Sequence, residues 1–88
     1  MQTVYKYAVT MKDTFTLELP TDAQILSVQM QHGEPQMWAL VDPDAPKRKR
    51  AFRIVGTGHP IPDVGLLRFV GTFQTSSGFM VFHLFEVI

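Results

Sequence analysis

A stretch of small, polar and ring-constrained residues is the part of this sequence best suited to chemistry outside a core. It runs from Gly56 to Asp63 and reads Gly-Thr-Gly-His-Pro-Ile-Pro-Asp. Glycines let a backbone approach a ligand closely, successive backbone amides can bind an anion, and a histidine titrates near neutral pH. The two prolines keep the segment stiff, which lowers the entropy lost on binding. The stretch is therefore a candidate binding loop.

A structural role for the same stretch remains open, with His59 as a hydrogen-bonding residue in a rigid turn. Its spacing matches neither a P-loop nor a dinucleotide fingerprint, so no specific phosphate motif is present. Either of the two strand arginines, Arg53 or Arg68, is a candidate to hold a small anion between subunits together with the glycine amides. The candidate partner- or ligand-binding residues are Gly56, Thr57, Gly58, His59, Pro60, Asp63, Arg53 and Arg68.

A run of four basic residues, Lys47, Arg48, Lys49 and Arg50, holds half of the eight lysines and arginines in the chain. It ends the longest polar segment, whose two prolines predict an exposed loop. The formal net charge is zero, which argues against nucleic acid because nucleic-acid binding needs a basic excess. The sequence thus predicts a basic loop that is either simply solvated or suited to an acidic protein surface.

Residue types used in catalysis occur, but not in a catalytic spacing. The candidates are three histidines, three aspartates and two serines: His32, His59, His83, Asp42, Asp44, Asp63, Ser76 and Ser77. The histidines share no metal-ligand motif, and the chain has no cysteine. The aspartates would need a shared cleft for acid–base work, and the serines lack a nucleophile motif. The sequence predicts a protein that is not an enzyme and that uses no metal and no cofactor.

Alternating apolar and polar residues predict seven short strands, with turn signals about every 8–12 residues. The predicted strands are 3–11, 14–19, 24–31, 37–41, 51–56, 66–73 and 78–88. A short helix capped by Asp22 is an alternative to the third strand, whose alternation places Leu26, Val28 and Met30 on one face. Strands three and four should pair as a hairpin. Gly71 in the sixth strand predicts a bulge or a close backbone approach. Connections of hairpin length make an antiparallel meander the simplest topology. We predict one all-β domain over residues 1–88, a small antiparallel sandwich or partly open barrel.

The last predicted strand, Gly78 to Ile88, is apolar on both faces, so something must cover each side. The second sheet would cover one face, and a loop or a partner subunit the other, with His83 as a satisfied core or interface residue. Only 18% of the chain is charged, below the roughly 25% typical of soluble domains. These features predict a homo-oligomer. The lack of a membrane-length apolar run and of a signal-peptide pattern predicts an intracellular protein that does not associate with a membrane.

Several segments of this sequence resemble a family of small uncharacterised proteins from tailed bacteriophages and prophages. The matching runs are Ile25 to Gln29, Trp38 to Asp42, Phe52 to Ile61, Gly71 to Phe73, and the C-terminal Val-Phe-His-Leu-Phe-Glu. Gly-Thr-Gly-His-Pro-Ile is the most distinctive of them. The resemblance covers most of the chain and implies a phage or prophage source with expression in the host cytoplasm. It assigns no activity, so no catalytic residue follows from it.

The sequence and this resemblance together lead to three functional hypotheses. The first is a non-enzymatic accessory protein that binds a host protein, in the way that small phage proteins can block host defence. The second is an oligomer that sequesters a small anionic ligand such as a signalling nucleotide. The third is a virion or assembly component.

Overall fold

The computed structural model describes residues 1–75 and 77–88 and confirms an all-β domain of seven strands. The strands are β1 (Thr3–Ala8), β2 (Thr14–Pro20), β3 (Gln24–Gln31), β4 (Glu34–Val41), β5 (Lys47–Gly56), β6 (Leu67–Gln74) and β7 (Val81–Val87). A short 3₁₀ helix, Val64–Leu66, precedes β6. Ser76, one of the two serines considered as nucleophiles, lies outside the described residues.

Two antiparallel sheets face each other, one of three strands in the order β1-β4-β3 and one of four in the order β2-β5-β7-β6. The predicted meander is wrong, because β1 and β2 belong to different sheets. The segment between them is bonded to both layers: Val9 donates to the carbonyl of Pro35 and Ile54 donates to that of Asp13. The chain passes from one sheet to the other in this segment, and these backbone bonds hold the segment to both sheets.

The hydrophobic core lies between the sheets and takes side chains from both. Its largest fully buried members are Phe52, Leu19, Met37, Leu84 and Val41. The predicted alternation of β2 is confirmed, since Phe15 and Leu19 are buried while Thr14, Thr16 and Glu18 are exposed. Phe15 and Phe52 stack with ring centroids 5.3 Å apart, which joins β2 to β5 inside the core.

The predicted pairing of strands three and four is also confirmed. His32 and Gly33 both have positive φ, 53° and 80°, as a two-residue type I′ hairpin requires. The predicted grouping of Leu26 with Val28 and Met30 on one face is wrong. A bulge between Ile25 and Ser27 turns Leu26 toward solvent, and Ile25 packs against the core instead.

The first strand lies at the edge of the three-stranded sheet and is mostly exposed. Tyr7 is its one residue that packs against the core. Burial, and after it the neighbouring Tyr5 phenol, raise the pKa of Tyr7 above its ordinary value of 10.0. The phenol therefore stays protonated in the folded protein to a higher pH than in the unfolded chain.

Gly71 lies where β6 packs closely against β3 of the other sheet. A bulge shifts the register of β6 between Phe69 and Gly71, as the sequence predicts for this glycine. A Cβ atom placed on Gly71 would lie only 2.8 Å from Cγ1 of Val28 in β3. The absence of a side chain at this position thus allows β6 to pack against β3.

Gly71→Ala should therefore lower the free energy of unfolding by about 1–3 kcal/mol, because the added methyl overpacks against Val28. Urea denaturation measures this change. Gly65→Ala is the matched control, since a Cβ there meets nothing within 4 Å. Equal stabilities of the two variants would contradict the close packing of β6 on β3.

Candidate binding surface

The segment 57–66 connects two parallel, non-adjacent strands and so has to cross the sheet between them. Gly56 at the end of β5 is paired with Phe82, near the start of β7, whereas Leu67 at the start of β6 is paired with Val87 at its end. The segment therefore runs the length of β7 across its outer face. The burial of Val55 shows that this face is covered. Val55 faces outward beside His83 and lies outside the core cluster, yet it is only 6% exposed.

A tight turn begins this crossing segment. The amide of His59 donates to the carbonyl of Gly56 at 3.1 Å, and Gly58 occupies the third position with φ of +87°. Positive φ at that position is typical of a type II turn, which favours glycine. The imidazole of His59 folds back over Gly56, so a Cβ on Gly56 would lie 3.3 Å from the ring. The turn thus fixes the backbone of His59, and its exposed ring lies over Gly56.

An ion pair anchors the middle of the segment to the sheet. A guanidinium nitrogen of Arg53, on the outer face of β5, donates to a carboxylate oxygen of Asp63. Two other atoms of this ion pair, Arg53 Nε and Asp63 Oδ1, are buried and have no hydrogen-bond partner among the described residues. The end of the segment is tied as well, because the amide of Ile88 donates to the carbonyl of Leu66 at 2.9 Å.

The glycine amides do not form the anion-binding nest considered from the sequence. The amide of Thr57 donates to the carbonyl of Val81 at 3.2 Å, and that of His59 to Gly56. Both neighbours of the Gly58 amide are thus already used inside the protein. Arg53 is likewise engaged by Asp63, so its guanidinium is not free to pair with an anion at this turn.

His83 is hydrogen-bonded on both ring nitrogens, as expected for a satisfied residue. Its Nε2 lies 2.7 Å from the Thr57 hydroxyl and its Nδ1 lies 2.9 Å from the Thr72 hydroxyl. The ring thereby joins the crossing segment to β6 across the outer face of β7. This contact makes His83 a structural support for the turn at Gly56.

Three exposed apolar side chains surround the turn. Phe79 and Met80, in the β6–β7 connection, are 91% and 56% exposed, and Met11, before β2, is 46% exposed. His59 lines two shallow grooves between them, of about 350 and 300 Å³. We call this region the end surface; it consists of Met11, Thr57, His59, Pro60, Phe79 and Met80.

The predicted basic loop is wrong in its secondary structure. Residues 47–50 are the first part of β5 and pair with β2, with Lys49 opposite Glu18 and Arg50 opposite Leu17. Only 42–46 form the connection before them. Side chains in a strand alternate, so Arg48 and Arg50 lie on the inner face and Lys47 and Lys49 on the outer face.

The candidate site residues divide between the two ends of the sandwich. Gly56 and the turn lie at one end of β5, whereas Lys47 to Arg50 lie at the other, about 20–30 Å away at ~3.3 Å per residue. Arg53 and Arg68 lie on opposite faces, because Arg53 is paired with Phe85 and Arg68 with the next residue, Glu86. The structure does not bring these two arginines together at one anion site.

A buried ion pair is the functional feature that sequence reasoning missed. Glu86 is 5% exposed, and both of its carboxylate oxygens accept from Arg50, at 2.5 and 2.8 Å. Arg50 also donates to the carbonyl of Ala23 at 2.5 Å, across the gap to the segment before β3. The signal in the sequence is a single glutamate on the otherwise apolar face of the last strand, which requires a cationic partner when buried.

The aspartates considered for acid–base chemistry are separate. Asp42 accepts from the amide of Asp44 within their own turn, whereas Asp63 is bound to Arg53. No group of three or more His, Cys, Asp or Glu side chains that could hold a metal ion occurs in residues 1–75 and 77–88. Within the same part of the chain, no helix has the length and apolar character needed to cross a membrane.

Comparison with known proteins gives a family without an assigned activity. No curated protein and no solved structure matches the chain. A family model described as a domain of unknown function, DUF7352, matches residues 1–88. The chain therefore belongs to the DUF7352 family.

Proposed function

We propose that this chain is a non-enzymatic accessory protein of phage or prophage origin that binds a host protein in the host cytoplasm. The phage origin is supported by the resemblance carried by the Gly-Thr-Gly-His-Pro-Ile segment. Binding in place of catalysis is supported by the separation of the aspartates and by the use of both His83 nitrogens in structural hydrogen bonds. Interference with a host defence protein is the role that this proposal includes.

The end surface is the part of the molecule that would contact the partner. The observation that carries this assignment is the almost complete exposure of Phe79, at 91%, beside the anchored His59. A large aromatic side chain with few rotatable bonds gives contact area at low entropic cost, as binding hot spots do. Met11 and Met80 on either side are flexible apolar residues that adapt to a partner surface.

The basic residues 47–50 would help only a partner large enough to span both ends of β5. Lys47 and Lys49 remain on the outer face of the sheet, where an acidic surface could reach them. Arg50 is not free for this role, because it is bonded to Glu86 and Ala23.

Self-association is part of the proposal. Several apolar side chains at the far end of the outer face remain exposed: Val64, Leu66, Phe69, Val87 and Ile88. Contiguous exposed apolar surface of this kind commonly marks an association site. A second copy of the chain would pack against this surface in the predicted homo-oligomer.

Affinity capture from host lysate tests the partner-binding proposal. Wild-type protein should retain a host protein that His59→Ala loses by at least about tenfold, since truncation removes the side chain between the two grooves. Asp63 is not replaced, because its loss would release the segment from Arg53. Asp44→Ala is the control, since Asp44 is exposed and precedes the opposite end of β5. Capture of the same protein by all three baits would contradict the assignment.

A further inference from the structure

The inner face of the four-stranded sheet changes from apolar to ionic at the end away from the turn. Arg50 lies two residues before the core residue Phe52 on β5, so both share one face. Glu86 is the cross-strand partner of Phe52, and Arg68 is the cross-strand partner of Glu86. The register therefore places Arg50, Glu86 and Arg68 in neighbouring positions beside the core.

The segment before β3 forms the opposite wall of a cleft above this row. Arg50 joins the two walls by donating to the carbonyl of Ala23 at 2.5 Å. The cleft has a volume of about 520 Å³ and meets a second cavity of about 380 Å³ at Asp22, Ala23 and Arg50. These volumes are within the range of small-molecule sites.

Positive charge in this cleft exceeds negative charge. Glu86 is already neutralised, since Arg50 donates to both of its oxygens. Arg68 lines the larger cavity and Arg48 the smaller one, and neither makes a side-chain hydrogen bond or ion pair with residues 1–75 or 77–88. Asp22 is the only other acidic residue of the two linings. Two free guanidinium groups against one carboxylate favour an anion, and guanidinium groups match phosphate geometry in particular.

An apolar wall adjoins these cations. Ile25, Leu26, Phe69 and Val70 line the larger cavity together with Arg68. Leu26 is 45% exposed, so its side chain is accessible to a ligand, whereas the ring of Phe69 packs against Phe85 on the outer face. A flat ring can pack against an apolar side chain such as that of Leu26, as ligands do in pockets lined by hydrophobic residues.

We propose that this cleft binds a small molecule in which a phosphate group is joined to an aromatic base, of which a nucleoside 5′-monophosphate is the simplest case. Arg68 holds the phosphate, with Arg48 on the adjoining cavity, and the base packs against Leu26. Arg50 and Glu86 act as positioning residues, because their ion pair fixes the two walls. The site lies at the opposite end of the molecule from the end surface, so it does not depend on the proposed protein partner.

Isothermal titration calorimetry of the full chain with the four common nucleoside 5′-monophosphates tests this site. We expect at least one dissociation constant of about 1 mM or lower. The matching nucleoside without phosphate, and inorganic phosphate alone, should each bind at least about tenfold more weakly. An absence of binding by all four monophosphates at millimolar concentration would overturn the proposal, and so would equal affinity for inorganic phosphate alone.

Arg68→Gln should weaken the monophosphate by at least about tenfold, because it removes a charge-assisted contact. Arg68 is exposed, so the variant should keep the melting temperature of the wild type. Lys47→Gln removes the same charge from a residue that neither cavity includes, and it should leave the affinity within about twofold. Unchanged binding by Arg68→Gln, or an equal loss in Lys47→Gln, would show that the ligand does not occupy this cleft.

Discussion

Glu86→Ala should lower the free energy of unfolding by about 3 kcal/mol, which we expect to be the largest single-residue effect outside the apolar core. The variant leaves the Arg50 guanidinium without its counter-charge beside the core. Breaking a buried pair by removing one partner costs about 3–5 kcal/mol. The lower end of that range applies because the Arg50 side chain keeps 21% exposure and can regain some solvent. Urea denaturation followed by tryptophan fluorescence measures the change.

The double variant Arg50→Met with Glu86→Leu separates the charge effect from a simple loss of packing. It removes both ions and keeps apolar volume at both positions, so it should recover at least half of the stability lost by Glu86→Ala. Full recovery is not expected, because the Ala23 carbonyl loses the donor that it has in Arg50. A cost below about 1 kcal/mol for Glu86→Ala would contradict the role assigned to this ion pair.

Phe79→Ser should weaken binding to the captured host protein by at least about 30-fold, as expected for the loss of a hot-spot aromatic residue. The side chain is 91% exposed in the free protein, so folding stability should change by less than about 0.5 kcal/mol. Biolayer interferometry with the purified partner gives the dissociation constants. The difference between a large binding effect and a small stability effect is what identifies a contact residue.

Phe69→Ser is the matched control for this prediction. Phe69 is also an exposed phenylalanine, at 58%, but it lies in the first half of β6, five residues before Gln74. It contacts Phe85 at a centroid distance of 5.6 Å on the outer face, away from the end surface. Its replacement should change the dissociation constant by less than about threefold. Wild-type affinity in Phe79→Ser, or equal losses in both variants, would show that the partner binds elsewhere.

Local sequence patterns were sufficient to predict the fold class and most strands. The alternation of β2 follows directly from one buried and one solvated face. His32-Gly33 specifies the hairpin between β3 and β4 through left-handed backbone geometry. The two apolar faces of the last strand also have the predicted explanation. The second sheet covers Leu84, and the crossing segment 57–66 covers the outer side near Val55.

Features that depend on distant parts of the chain were not predictable in this way. Four consecutive basic residues look like a loop, but Lys47 to Arg50 form a strand because β2 supplies backbone partners to them. The strand order likewise depends on bonds between distant segments, such as that from Val9 to the carbonyl of Pro35. Propensity is weak where long-range pairing decides the structure.

The candidate site was only partly predictable for the same reason. The stretch from Gly56 to Asp63 marks a stiff connection, and the structure anchors it through Arg53 and Asp63. The apolar composition of the C-terminal stretch places Phe79 in the last predicted strand. In the structure Phe79 lies just before β7, because the turn and not the composition decides where β7 begins. The two candidate arginines, Arg53 and Arg68, fall on opposite faces, because pairing with β7 sets the register of each strand.

Hydrogen–deuterium exchange of the protein with and without its captured partner is the most direct test of the proposed function. The account predicts slower exchange on binding at residues 57–63 and 77–82, around the end surface, and unchanged exchange at 47–50. Slower exchange confined to 47–50 or to the edge strand β1, with none at the end surface, would contradict the account.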